Sequence, residues 1–159
     1  MRAAPVPDGK GMRRDYFTLD AVGVLADDSE RPTMRITYEG PTEEFESRLR
    51  REGTLLSGDG VDITFRLQDD LDADRPNGVL AIADRVTGEY VLELNADAET
   101  VFAVTAAVGD DDENGVYRVG IETSDGTELV DYEKSTLLIY DREGELLRER
   151  SLIPSGVEI

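Results

Sequence analysis

The sequence predicts an α+β fold, a largely antiparallel sheet of about eight or nine strands with two helices packed on it, in a single domain. Three observations carry that prediction. Short stretches of alternating polar and apolar residues recur along the chain, most clearly over 61–68, where Val61, Ile63, Phe65 and Leu67 fall on one face. Only two stretches, 42–52 and 97–108, carry helical spacing. The resulting order, ββαβββαββββ, places runs of strands between the helices, as an α+β fold requires.

Residues 1–11 contain Pro5, Pro7, Asp8 and Lys10 and no apolar run, so they read as a disordered leader, with Met12 a possible true start. Residues 12–20 have the aromatic and β-branched content of a strand. The next strand, 33–38, alternates Met34, Ile36 and Tyr38 against Thr33, Arg35 and Thr37 and stops at Gly40-Pro41. The helix over 42–52 has Pro41 near its first turn and Glu43 and Glu44 at its positive end. Arg48, Arg50 and Arg51 compensate its last turns, Gly53 stops it, and Phe45 and Leu49 form its apolar stripe.

After strand 61–68, strands 79–84 and 90–95 flank a turn at Thr87-Gly88 and read as a hairpin. The second helix begins at an Asp97 cap and carries Val101, Phe102, Val104, Thr105 and Val108, β-branched residues that only tertiary burial holds in a helix. A meander of 116–123, 128–134, 135–141 and 146–153 follows, with turn signals at Asp125-Gly126 and Gly144. Residues 136–140 are apolar on both faces and predict a central strand covered by a helix. The domain therefore spans 12–153, and 154–159 form a C-terminal tail.

Composition excludes whole chemistries. The 159 residues contain no His and no Cys, which removes disulfides, thiolate nucleophiles, the usual zinc and haem ligands and the imidazole base of a triad. No stretch is long and apolar enough to be a signal or a membrane span, so the chain reads as cytoplasmic. Its charge is −19, from 36 acids against 17 bases, of which only Lys10 and Lys134 are lysine. A dispersed acidic, lysine-poor surface is what keeps a protein hydrated in molar salt, where repulsion is screened within about 3 Å. The composition reads as that of a halophile.

The motifs are few. Asp110-Asp111-Asp112-Glu113-Asn114-Gly115 matches the opening of a calcium loop, with Asp110, Asp112 and Asn114 as candidate ligands. Ile121 then stands where an EF-hand needs its bidentate Glu, so a solvated helix-to-strand loop is the plainer reading. Lys134 and Ser135 are neighbours on a strand, point to opposite faces and read as structural. Phosphate-cradling glycine motifs are absent, and a chain of this charge disfavours nucleic acid. Arg48, Arg50 and Arg51 remain as a cluster suited to a protein contact.

Four segments, 12–20, Arg-Val-Thr-Gly-Glu-Tyr-Val-Leu-Glu-Leu-Asn-Ala-Asp at 85–97, Tyr-Glu-Lys-Ser-Thr-Leu-Leu-Ile-Tyr-Asp at 132–141 and Ser-Leu-Ile-Pro-Ser-Gly-Val-Glu-Ile at 151–159, resemble an uncharacterised family of small acidic haloarchaeal proteins, a domain of unknown function. The resemblance implies a cytoplasmic haloarchaeal protein and no particular activity. The expectation is a non-catalytic interaction or scaffold module with no cofactor, contacting protein and neither nucleic acid nor membrane. The alternative is a cation- or small-ligand-responsive domain using the 110–115 loop.

Overall fold

The computed structural model describes residues 17–22, 32–40, 42–51, 53–109 and 116–153. The leader 1–11, residues 12–16 of the first predicted strand, the 110–115 loop and the 154–159 tail lie outside the described residues. In chain order the elements are β1 (Phe17–Val22), β2 (Thr33–Tyr38), α1 (Thr42–Arg48), β3 (Arg50–Arg51), β4 (Thr54–Leu55), β5 (Val61–Leu67), β6 (Asn77–Asp84), β7 (Tyr90–Asp97), α2 (Ala98–Gly109), β8 (Tyr117–Thr123), β9 (Glu128–Lys134) and β10 (Leu138–Tyr140).

The strands do not form one sheet of eight or nine. They form two four-stranded sheets, β1-β2-β8-β9 (the first sheet) and β10-β5-β6-β7 (the second), with β3-β4 as a small ribbon. Each large sheet contains one parallel pair, β2 with β8 and β5 with β10. Period-two burial builds the core from both: β2 turns Met34, Ile36 and Tyr38 inward and β5 turns Val61, Ile63, Phe65 and Leu67 inward, and one buried cluster joins the two sheets and both helices.

Helix α1 is short but well anchored. Phe45 lies against Tyr38 and Phe17, with ring centroids 4.6 and 5.4 Å away, so three aromatics tie α1 to the inner face of the first sheet. The helix ends at Arg48, four residues before the predicted end at 52, because the chain turns at Gly53, whose φ of 82° suits glycine, and pairs Arg50 with Leu55. The Asp97 cap is present, its Oδ1 accepting from the Glu99 N–H at 3.1 Å. Helix α2 buries Val101, Val104 and Val108 and lies against β1, β2 and β7, so it spans both sheets.

The predicted meander holds only for its first hairpin. β8 and β9 pair antiparallel around Gly126, but β10 leaves the first sheet and joins the edge of the second, parallel to β5. Lys134 sits at that crossing, buried at the end of β9, and its Nζ donates to the carbonyls of Gly58 and Val61, both at 2.8 Å. The ammonium therefore fixes the end of β9 to the start of β5, and the chain beyond it emerges beside the strand that β10 pairs with.

The apolar run 136–140 is thus an edge and not the centre, and its outer side is covered by residues 146–152. The sequence predicts a strand over 146–153, yet this segment makes only isolated bridges, Tyr140 with Leu146 and Leu137 with Leu152. Between the bridges the Ser151 hydroxyl replaces the ladder, accepting from the Ile139 N–H at 2.9 Å and donating to the Leu147 carbonyl at 2.8 Å. That cover satisfies an otherwise open edge.

Candidate functional site

Of the site residues that the sequence predicts, the described residues include Arg48, Arg50 and Arg51. Asp110, Asp112 and Asn114 lie outside the described residues. Arg48 closes α1 whereas Arg50 and Arg51 belong to β3, so the three do not share a helix end; the Arg50 side chain is exposed. Among the described residues no group of three or more carboxylates is placed to hold a metal ion, and no helix is long and apolar enough to cross a membrane.

The informative surfaces are the outer faces of the two sheets, both shallow and concave. On the first sheet, β2 and β8 present Thr33, Arg35, Arg118, Gly120 and Glu122, and β9 adds Asp131 across from Gly120. The charges are paired across strands. Arg118 grips Asp131 through both carboxylate oxygens, and Arg35 lies 3.9 Å from Glu122. Such exposed pairs stabilise by about 0.2–1 kcal/mol each and leave the two carboxylates committed to guanidinium groups.

The outer face of the second sheet differs. One of its two central strands, β6, turns Val79, Ala81 and Ala83 outward, three small apolar side chains without a charge, of which Ala81 is buried. On the β5 side Asp62 stands beside Ala83, where it pairs with Arg85 at 2.8 Å, Thr64 beside Ala81 and Arg66 beside Val79; on the β7 side Glu93 stands beside Ala81. Tyr140 lies beyond Arg66 and Tyr90 beyond Ala83, giving a trough of about 550 Å³ with a low floor and aromatic walls. Tyr90 is 46% exposed.

Arg66 is held in place by the hairpin after β10. Its Nη2 donates to the Arg142 carbonyl at 3.0 Å, while the Arg142 guanidinium pairs with Asp70 at 3.2 Å. Among the described residues no carboxylate lies within ion-pair reach of Arg66. Arg66 is thus a fixed arginine beside the uncharged outer row of β6 in a chain with about two acids for every base.

On its core side β6 is glycine at position 78, where the β5 backbone and the Phe65 ring approach closely. A Cβ on Gly78 would lie 2.4 Å from the Arg66 carbonyl oxygen and 2.5 Å from Cζ of Phe65, so no larger residue fits without displacing the strand. The trough was legible as a run, Val79-Leu80-Ala81-Ile82-Ala83, with no polar residue on either face, a pattern that marks a strand covered on both sides. One side is the core; on the other, Val79 and Ala83 are half-buried and Ala81 is buried.

No curated protein and no solved structure matches the chain. Over residues 12–159, a span that takes in both sheets and both helices, the chain belongs to a family of unknown function, DUF5793.

Proposed function

We propose that the protein is a non-catalytic interaction module whose contact surface is the outer face of the second sheet. One observation supports this: on a chain of charge −19, the β6 floor of Val79, Ala81 and Ala83 carries no charge and is walled by Tyr90, Tyr140 and Arg66. Tyrosine and arginine around a small apolar floor are what protein contact surfaces concentrate, whereas solvent-facing strands in this chain carry acids. The test compares two equal charge insertions in native-salt lysate. The tagged chain is expected to elute in a complex larger than itself, Ala81→Arg to elute as the lone chain, and Gly120→Arg, on the other sheet, to behave as wild type. Elution of the wild type alone, or equal behaviour of the two variants, contradicts the proposal.

The same module is proposed to work in the cytoplasm of a halophile. Beyond the acid surplus, the lysine among the described residues, Lys134, is buried, so the described surface shows no lysine ammonium. Its melting transition is expected to weaken below roughly 0.5 M salt, where the Debye length exceeds about 4 Å. A melting temperature unchanged from low to high salt contradicts the habitat.

A further inference from the structure

The outer face of the second sheet is self-complementary. Arg66 stands on the β5 side of β6, level with Val79, and Glu93 on the β7 side, level with Ala81, while Asp62, on the β5 side and level with Ala83, is already paired with Arg85. The tyrosines divide the same way, Tyr140 beyond Arg66 and Tyr90 on β7. A two-fold axis lying in an interface over Leu80, oblique to β6, exchanges the two sides. It brings the cation of one molecule over the anion of the other, twice. We infer that this face pairs with the same face of a second copy of the chain, Arg66 of each meeting Glu93 of the other. The inference rests on the contact-face reading above and names its partner.

Three physical features bear on it. The small side chains on β6 let two faces approach to the roughly 10 Å at which sheets pack. Arg66 is already oriented by the Arg142 carbonyl, so pairing it costs little side-chain entropy. The area is modest: four strands about 4.8 Å apart and about six residues long present roughly 400 Å², half of the roughly 800 Å² per partner in a standard stable complex. Each copy also carries −19, so association requires that the long-range repulsion be screened. The expected dimer is therefore weak and favoured by salt, the reverse of an association driven by opposite net charges.

The experiment is sedimentation of the purified full chain up to roughly millimolar concentration, at about 0.1 M and about 2 M potassium chloride. Reversible dimers are expected at high salt and monomers at low salt. Arg66→Glu and Glu93→Arg, each placing like charges opposite one another, are each expected to weaken the dimer about tenfold or more. The double variant Arg66→Glu with Glu93→Arg restores it, because the pairs re-form with inverted sign. Melting curves matched to wild type show that the variants fold. A chain that stays monomeric in high salt, a dimer indifferent to the single swaps, or a double swap without rescue overturns the inference. A monomer that still elutes in an Ala81-sensitive lysate complex removes the second copy and leaves the contact face standing; loss of both removes both.

Discussion

The two sheets solve solvent exposure in opposite ways. On the first, central strands β2 and β8 turn Arg35, Arg118 and Glu122 outward, and the charges bridge neighbouring strands. On the second, central strand β6 turns Val79, Ala81 and Ala83 outward, while on the other central strand, β5, Asp62 pairs with Arg85 and Arg66 has no carboxylate in reach among the described residues. A chain with 36 acids has charge to spare for any solvent-facing strand. On the proposed reading, the uncharged outer row of β6 marks the contact surface, and in a strongly acidic protein it is that local lack of charge that carries information.

The comparison treats the two sheets as one folding unit, and the heaviest test is the side chain that joins them. Replacing Lys134 with Ala leaves the Gly58 and Val61 carbonyls without the ammonium at their buried junction. It should cost about 2–4 kcal/mol, read as a lower denaturant midpoint at fixed salt. A change below about 0.5 kcal/mol would show that the sheets hold together without it.

Next comes one substitution made on each sheet. Gly78→Ala should destabilise by about 1–3 kcal/mol, because its Cβ has no room against Phe65 and the Arg66 carbonyl. Gly120→Ala, whose Cβ meets nothing within 4 Å, should instead stabilise by about 0.5–1 kcal/mol through reduced unfolded-state freedom. Effects of the same sign would contradict the contrast between a closely crossed strand and an open outer face.

The smallest effect lies on the inner face of the first sheet, where two buried tyrosines differ in one bond. The Tyr117 hydroxyl donates to the Thr136 carbonyl at 2.8 Å, whereas the Tyr132 hydroxyl is buried and has no hydrogen-bond partner among the described residues. Tyr132→Phe should therefore be neutral or stabilising by up to about 1 kcal/mol, and Tyr117→Phe destabilising by about 0.5–1.5 kcal/mol. Burial pushes Tyr132 from the ordinary 10.0 up to about 12. Its neutral form is thus favoured in the folded state, so its contribution is intact below about pH 10 and is lost as pH rises toward 12. Tyr132→Phe should flatten that alkaline decline in thermal melts, and an unchanged decline would assign it elsewhere.

Much of the local structure was legible in the sequence, because periodicity and caps are local properties. Strands 33–38 and 61–67 and the Asp97 cap follow from neighbouring residues alone. The partition into two sheets was not, because it rests on β2 pairing with β8 and β5 with β10, partners far apart in sequence that periodicity cannot connect. Residues 136–140 show the cost: apolarity on both faces fits a central strand, but an edge covered by the 146–152 segment produces the same pattern. The candidate face was half legible. Val79–Ala83 lacks polar residues on either side, yet nothing in the sequence reveals that Arg66, 13 positions before Val79, is its neighbour.

The central claim, that the faces of the two sheets differ in what covers them, is tested most directly by hydroxyl-radical footprinting of the full chain in native-salt lysate against the dilute purified chain. The account predicts protection of Tyr90, Tyr140 and Val79 with unchanged labelling of Val22 and Leu129 on the first sheet. Uniform labelling, or protection confined to the first sheet, would contradict it.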